Sequence, residues 1–537
     1  MRINKRLFAI FFLSILWLSG CDSIGYQENL KPLQPTNIDS NAGTWAVIPN
    51  SLIASTAQFT SSVPDPAAIS SLAYQAELTT IMAIQSSLSD EQRETIKYWS
   101  VGGVIRWNQI LRGLVAQYSL PPAPLDDGSY VFPDAENPFA DPTFPFASPP
   151  YSARAYAYVS IAQYEALKAT WYFKFLPTKV RPAPFKNDSR IELFVPKTDL
   201  NNNAYPSEDA VLSGVSAEML KVLFPAAVEE ITRMAADQRN AALWSGKASS
   251  SDISAGLALG KAVAAFITAP GTGRFRTDNM GGAVGAKAQW DVLIDSAKQH
   301  YTKIGIDASN EIFWKSLDSP ARPPMLPFFG NVKGWFLTPT QFSNERSNLG
   351  PPPLTSSQAM VDELAEVKKA VIKVDRSKLR IVHFWADSGG TYTPPGHWND
   401  IATEYISKSN FSEVRAARAY AYLNAAMHDA AVGCWGIKYY WYNPRPSQLD
   451  PSIKTLTGLP NFPSYTSGHS TFSAAASTVL SYLFPADANV FDALKEEASI
   501  SRLYGGIHYR SDIEKGKTHG TAIGAYTVTF AMTDGAN

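Results

Sequence analysis

This sequence predicts an all-α protein made of two pseudo-symmetric helical bundles from an internal duplication, joined by long irregular Pro/Gly-rich loops. Three observations carry that expectation. Apolar residues recur at three-to-four spacing, as in Leu72, Leu78, Ile81 and Ile84, which is the period of a half-buried helix. No stretch alternates clearly with a period of two, as a half-buried strand would. The hexapeptide Ala153-Arg-Ala-Tyr-Ala-Tyr158 recurs unchanged as Ala417-Arg-Ala-Tyr-Ala-Tyr422.

The repeat extends well beyond that hexapeptide. At the same offset Trp171 meets Trp435, Lys174 meets Lys438, Arg181 meets Arg445 and Pro182 meets Pro446. After a slightly shorter loop Ser207 meets Ser467, Phe224-Pro225 meets Phe484-Pro485, and Asp252, Gly256 and Gly260 meet Asp512, Gly516 and Gly520. Four clusters in register at one nearly constant offset read as an ancient duplication. The differences are chemical. Glu208-Asp209 stands where the second copy has Gly468-His469, and Ala242 and Ala248 stand where it has Arg502 and His508. The first half therefore keeps the packing and drops the chemistry, which leaves one working site, in the second half.

Taken in order, the chain opens with Lys5-Arg6 before an apolar run, Leu7 to Leu18, that ends in Leu18-Ser-Gly-Cys21. This resembles the bacterial lipoprotein cleavage box. The resemblance implies a signal peptide over 1–21, lipid on Cys21, and an exported lipoprotein of the bacterial cell envelope held to the membrane only by that anchor. Cys434 is the other cysteine of the chain, so no intramolecular disulfide remains once Cys21 is modified. Residues 22–64, rich in Pro, Asn, Ser and Thr, read as a tether. Residues 65–270 form the N-terminal half, with a helical pattern from Pro66 to Gln117 and a long loop from Leu120 to Pro150. Residues 271–356, rich in Gly, Pro, Trp and Phe, read as an irregular connection draped over the helices. Residues 357–537 form the catalytic half, with helical pattern over Gln358–Lys373, a Pro/Gly loop from Asp387 to His397, and the repeat helix at 411–437. With 537 residues, of which 45% are hydrophobic, the chain can bury a large core. Its net charge of -1 gives no basic field for nucleic acid.

Three clusters in the second half carry the chemistry. Lys438 and Arg445-Pro446 form the first. Ser467-Gly468-His469, standing just before an Ala/Ser-rich helix, forms the second. Ser501-Arg502, His508 and Asp512 form the third. Lys438, Arg445 and Arg502 supply positive charge, with planar bidentate geometry at the arginines. The Ser467 hydroxyl and the free amides after Gly468 can point at an anion, helped by the helix dipole. His508 and Asp512, four apart, would share a helix face, so the carboxylate could orient the imidazole. His469 at the edge suits general acid–base work. The inventory describes a site for a tetrahedral oxyanion.

These motifs, in this order and spacing, resemble the superfamily uniting type-2 phosphatidic acid phosphatases, bacterial acid phosphatases and vanadium-dependent haloperoxidases. The resemblance implies that Lys438, Arg445, Ser467, Gly468 and Arg502 bind the non-protein oxygens of vanadate. It also implies that His508 ligates the vanadium, that His469 handles protons and that Asp512 supports His508. No haem is implied. The length, the two halves, Trp435 three before Lys438, and Phe462-Pro-Ser-Tyr-Thr-Ser-Gly-His469 are similar to the haloperoxidase branch, in which hydrogen peroxide oxidises a halide. Trp435 and Phe462 would border the halide approach, and Asp387 stands where those enzymes keep a supporting acid. The alternative within the superfamily is a phosphomonoesterase. Its substrate would be a phosphate ester, His508 would attack phosphorus, and phosphate would occupy the vanadate site as substrate or inhibitor. The third alternative is a non-catalytic oxyanion-binding lipoprotein. One departure is Thr466, where the family has Pro before Ser-Gly-His.

Overall fold

The computed structural model describes residues 30–120, 125–129, 149–195 and 203–536, and among these no strand occurs; an isolated bridge joins Pro182 and Asn203. Three helices open the body, α1 (Leu72–Gln85), α2 (Asp90–Trp99) and α3 (Gly103–Gln117). Next come α4 (Pro149–Lys174), α5 (Glu208–Leu223), α6 (Val228–Trp244) and α7 (Ser250–Thr268). The connection contains α8 (Leu293–Lys303) and α9 (Pro339–Leu349), followed by α10 (Gln358–Ile372), α11 (Arg376–Phe384) and α12 (Thr393–Lys408). The last four are α13 (Glu413–Trp441), α14 (Gly468–Leu483), α15 (Ala488–Tyr504) and α16 (Arg510–Ala531).

The quartet α4–α7 repeats as α13–α16, and the repetition reaches individual bonds. Arg154 Nε donates to Asp278 Oδ2 at 2.7 Å and Nη2 to the Phe275 carbonyl at 2.8 Å. Arg418 does the same to Asp534 Oδ2 at 2.6 Å and the Ala531 carbonyl at 2.7 Å. Tyr158 and Tyr422 each add a hydroxyl to the same carboxylate. The recurring hexapeptide is thus a buried clamp on the segment that follows the last helix of each quartet. A buried pair of this kind, broken on one side, costs about 3–5 kcal/mol. Ser160 and Asn424 hold matching positions in α4 and α13 and touch each other, Nδ2 to Oγ at 2.9 Å, as residues do across a two-fold axis.

Glycines set the inner packing. A Cβ on Gly520 would lie 2.1 Å from the Thr471 carbonyl, and one on Gly516 would lie 2.9 Å from that of Ser467. Gly260 and Gly256 make the same close approach to Val211 and Ser207. Only glycine lets α16 press onto α14, and α7 onto α5, at this distance.

The N-terminal segment departs from expectation. Residues 31–63 are not a tether; they lie as a strap on the body. Trp45, Ile48 and Val63 are buried, Ile48 N donates to Glu165 Oε1 at 2.7 Å, and Asp39 pairs with Arg415 at 2.5 Å. Scarcity of periodic apolar residues hid this, because an irregular strap needs only isolated anchors. The two expected halves and their connection also form one compact unit, Lys31–Asn537. The 271–356 connection is partly helical, through α8 and α9. The Asp387–His397 loop is shorter than expected, since α12 begins at Thr393 with Pro394 and Pro395 in its first turn, where a missing N–H does no harm. Cys21 and most of the Leu120–Pro150 loop lie outside the described residues.

Candidate active site

The site is built around the N-terminus of α14. Ser467 is the N-cap, its Oγ accepting from Ser470 N at 3.4 Å, so the amides of Gly468 and His469 in the first turn have no helical acceptor. The Ser467 amide donates to the Asp512 carbonyl at 2.9 Å, which locks this cap to the start of α16. Lys438, in the last turn of α13, reaches across with Nζ 2.9, 2.8 and 2.5 Å from the carbonyls of Pro463, Ser464 and Thr466. That grip fixes the course of the loop at Thr466. Helix α13 ends at Tyr442 in the left-handed region, φ 56°, and the turned chain delivers Arg445. Its Nε donates to the Phe462 carbonyl at 3.0 Å and Nη1 to the Ile507 carbonyl at 2.8 Å, while the same Nη1 lies 3.0 Å from His508 Nε2. Arg502, from α15, donates Nη1 to the Trp385 carbonyl at 2.7 Å.

His508 and Asp512 meet as expected, Nδ1 to Oδ2 at 2.8 Å, but not by sharing a helix face. His508 precedes α16, and Asp512 in its first turn accepts from the Tyr509 amide at 3.1 Å, so a capping turn brings them together. Ser464 Oγ also donates to Asp512 Oδ2, at 2.5 Å. Asp387 lies 3.5 Å from His469 Nε2 through Oδ2 and 3.0 Å from His397 Nδ1 through Oδ1. Phe462 lies beneath both Lys438 and Arg445, 5.1 and 5.0 Å from its ring centre, and 4.9 Å from the Trp435 ring. The Pro-rich connection closes over this corner: Trp435 and Tyr439 both donate to the Met325 carbonyl, and Asn461 donates to that of Pro323. The fold thus brings together Lys438, Arg445, Ser467, Gly468, His469, Arg502, His508, Asp512, Asp387, Trp435 and Phe462.

Burial dominates the electrostatics. It pushes the Lys438 ammonium down to about 7 and the guanidinium groups of Arg445 and Arg502 down to about 10. Burial, then the charges of Arg445, Lys438 and Arg502, hold His508 well below the usual histidine range, so it is neutral. Burial and Arg502 lower His469 to about 4. At Asp387 burial pulls upward, but His397 and His469 overcome it and keep the carboxylate at about 2. Among the described residues, none of the three buried cations forms an ion pair with a carboxylate, and Arg502 Nε has no hydrogen-bond partner. The first half is the opposite case. There Lys174 pairs with Glu208 and Arg181 with Asp252, so its cations are neutralised from within.

Residues 419–535 match the model of the PAP2 superfamily. This stretch is PAP2-like. The PAP2-like stretch runs from α13 to the end of α16 and contains all three motif clusters. Over a wider span, 71% of the chain, the fold is similar to that of the first bacterial vanadium-dependent iodoperoxidase (91% of that chain, TM-score 0.52, 24% identity). Apo- and holo-type structures of a bacterial vanadium-dependent chloroperoxidase align more loosely, each with a TM-score of 0.46. Their identities are 12% and 11%, over 71% and 76% of this chain and 92% and 97% of theirs. No curated protein matches the chain.

Three participants were not singled out from sequence. Ser464 lay inside a quoted cluster, yet nothing there signals a bond to Asp512. Trp385 acts through its carbonyl, which any residue could supply. His397 reads from the sequence as the end of a loop, whereas it lies in the first turns of α12.

Proposed function

We propose that the chain is a vanadate-dependent haloperoxidase-like enzyme that oxidises halide with hydrogen peroxide. The observation that carries this is that Lys438, Arg445 and Arg502, all buried, pair with no carboxylate among the described residues. Three buried cations and a helix N-terminus surround a neutral imidazole, and an oxyanion is what such a cradle takes. The residues fit vanadate: Lys438, Arg445, Arg502, the Ser467 hydroxyl and the Gly468 amide would hold its oxygens, and uncharged His508 Nε2 would ligate the vanadium. When bound, vanadate would supply a Lewis acid that activates peroxide without changing its own oxidation state. The net reaction of peroxide and halide to hypohalous acid and water consumes one proton, and His469 is the group placed to deliver it. Trp435 and Phe462 would border the halide path. The test is halide oxidation by vanadate-loaded protein with peroxide and iodide, bromide or chloride. No oxidation at full loading overturns the proposal.

The same imidazole also suits a phosphomonoesterase. Asp512 engages Nδ1 of neutral His508, which leaves the Nε2 lone pair as a nucleophile. In that reading the Nε2–phosphorus bond forms as the ester P–O bond breaks, His469 protonates the departing oxygen, and water then cleaves the phosphohistidine. Aryl-phosphate turnover that vanadate inhibits and His508→Ala abolishes selects it. Anion binding without either activity selects the non-catalytic lipoprotein. We further propose that the two quartets descend from a duplication whose first copy is closed by its own carboxylates, and that lipid on Cys21 anchors an exported protein, testable by fatty-acid labelling of wild type against Cys21→Ala.

A further inference from the structure

We infer that His397 is a positioning residue: by holding Asp387 through Nδ1, it keeps the carboxylate on His469 Nε2 and so assigns proton exchange to His469 Nδ1. Asp387 is a non-glycine residue with φ 44°, a left-handed conformation that costs about 1 kcal/mol and needs outside support. The bond from His397 at 3.0 Å supplies it. The other carboxylate oxygen faces His469 Nε2 at 3.5 Å, and neither of those two atoms has another hydrogen-bond partner.

His397 is itself rigid. Its ring stacks on Trp385, centroids 4.3 Å apart and planes 24° from parallel, with the Phe384 edge at 4.8 Å. Helix α12, which carries it, is tied to α14, which carries His469, by Trp398 Nε1 donating to Ser473 Oγ at 2.9 Å. The Trp385 carbonyl receives Arg502. One short segment, Trp385 to Asp387, therefore touches both an anion-binding cation and the proton-handling imidazole, and His397 clamps that segment. Arg502 acts electrostatically on His469 and on Asp387, and Tyr156 and Tyr392, each also near Arg112 and Asp400, feel the Asp387 charge. A carboxylate on Nε2 favours the Nε2–H form and leaves the lone pair on Nδ1. The inference rests on the reading that His469 moves protons at a bound oxyanion.

The experiment is ring-¹⁵N NMR of the full chain without added anion, comparing wild type, His397→Asn, His397→Phe, Asp387→Asn and the Phe/Asn double variant. His469 is assigned by its absence in His469→Gln, and thermal melts establish that each variant is folded. Asn keeps a donor where His397 has Nδ1, whereas Phe keeps only the stacking. The expected result is a protected Nε2–H on His469 in wild type and His397→Asn. That proton should be lost to exchange in His397→Phe and Asp387→Asn, with no further change in the double variant. In parallel, His397→Phe should lower kcat about 10- to 100-fold with KM unchanged. Wild-type protection in His397→Phe, or effects that add in the double variant, overturns the inference. Because the spectra need neither substrate nor vanadate, a protein inactive in both assays would overturn the functional reading and leave this measurement standing.

Discussion

Arg445 Nη1 lies 3.0 Å from Nε2 of His508, the nitrogen that both proposed chemistries require. With Nδ1 committed to Asp512, that Nε2 carries the lone pair and accepts from the guanidinium. An arriving oxyanion competes for the same N–H, and binding and unmasking of the nucleophile become one event. Arg445→Lys, which keeps the charge but loses the planar fork, should weaken vanadate or phosphate binding by about 1.5–3 kcal/mol, roughly 10- to 100-fold, by calorimetry.

Asp512→Asn should separate orientation from packing. The Tyr509 and Ser464 donors at Oδ2 can still be met by an amide oxygen, but Nδ1–H of His508 loses its charged acceptor. The expected loss is about 10- to 100-fold in activity with a folded protein. Ser464→Ala leaves the His508–Asp512 hydrogen bond intact and should cost about 1 kcal/mol of stability in denaturant unfolding, with a smaller effect on rate.

Lys438 links anion binding to pH. Its value is about 7 in the folded chain against an ordinary 10.5, so from pH 7 to 10.5 the unfolded chain holds the extra proton. This group alone therefore makes the empty protein gain stability with rising pH across that window, and the cost of burying its charge is fully present below pH 7. A bound anion offsets that cost. Sulfate, whose own charge is constant over the range, should bind most tightly below pH 7 and weaken by up to about tenfold per unit above it. Lys438→Met should bind weakly and show no slope from about pH 7 to 9, below the range in which Arg445 and Arg502 lose charge, and a flat wild-type profile there would contradict the assignment.

Gly520→Ala should damage the site from a distance. Its Cβ would meet the Thr471 carbonyl at 2.1 Å, and backbone cannot yield as a side chain can. Overpacking of this kind costs about 1–3 kcal/mol and would push α16, with Asp512, away from the Ser467 cap. Anion affinity should fall along with the melting temperature. Gly282→Ala, with open space around its Cβ, is the control and should change stability by less than about 0.5 kcal/mol.

Much of the anion cradle was legible in the sequence because its chemistry resides in residue identity: a Lys, two Arg, a Ser-Gly-His at a helix start and a His with its Asp at fixed separations. The Arg154 and Arg418 hexapeptides were legible as a repeat, but not as clamps, since Asp278 and Asp534 lie far along the chain. Contacts made through backbone atoms left no trace. The carbonyls of Trp385, Pro463 and Met325 are independent of side-chain type. His508 and Asp512 show the right contact reached through the wrong geometry, because four-residue spacing fits a capping turn as well as a helix face.

The strap has a consequence for what must be in place before it can settle. Ala46 N bonds the Asp534 carbonyl at 2.8 Å, and Arg415, which grips Asp39, also bonds the Ala536 carbonyl at 2.8 Å. Residues 31–63 thus lean on the segment that follows α16, far away along the chain. Contacts between such distant residues pay their loop-closure entropy before they return any stability. The strap and the segment after α16 therefore order together, and whatever frays one loosens the other.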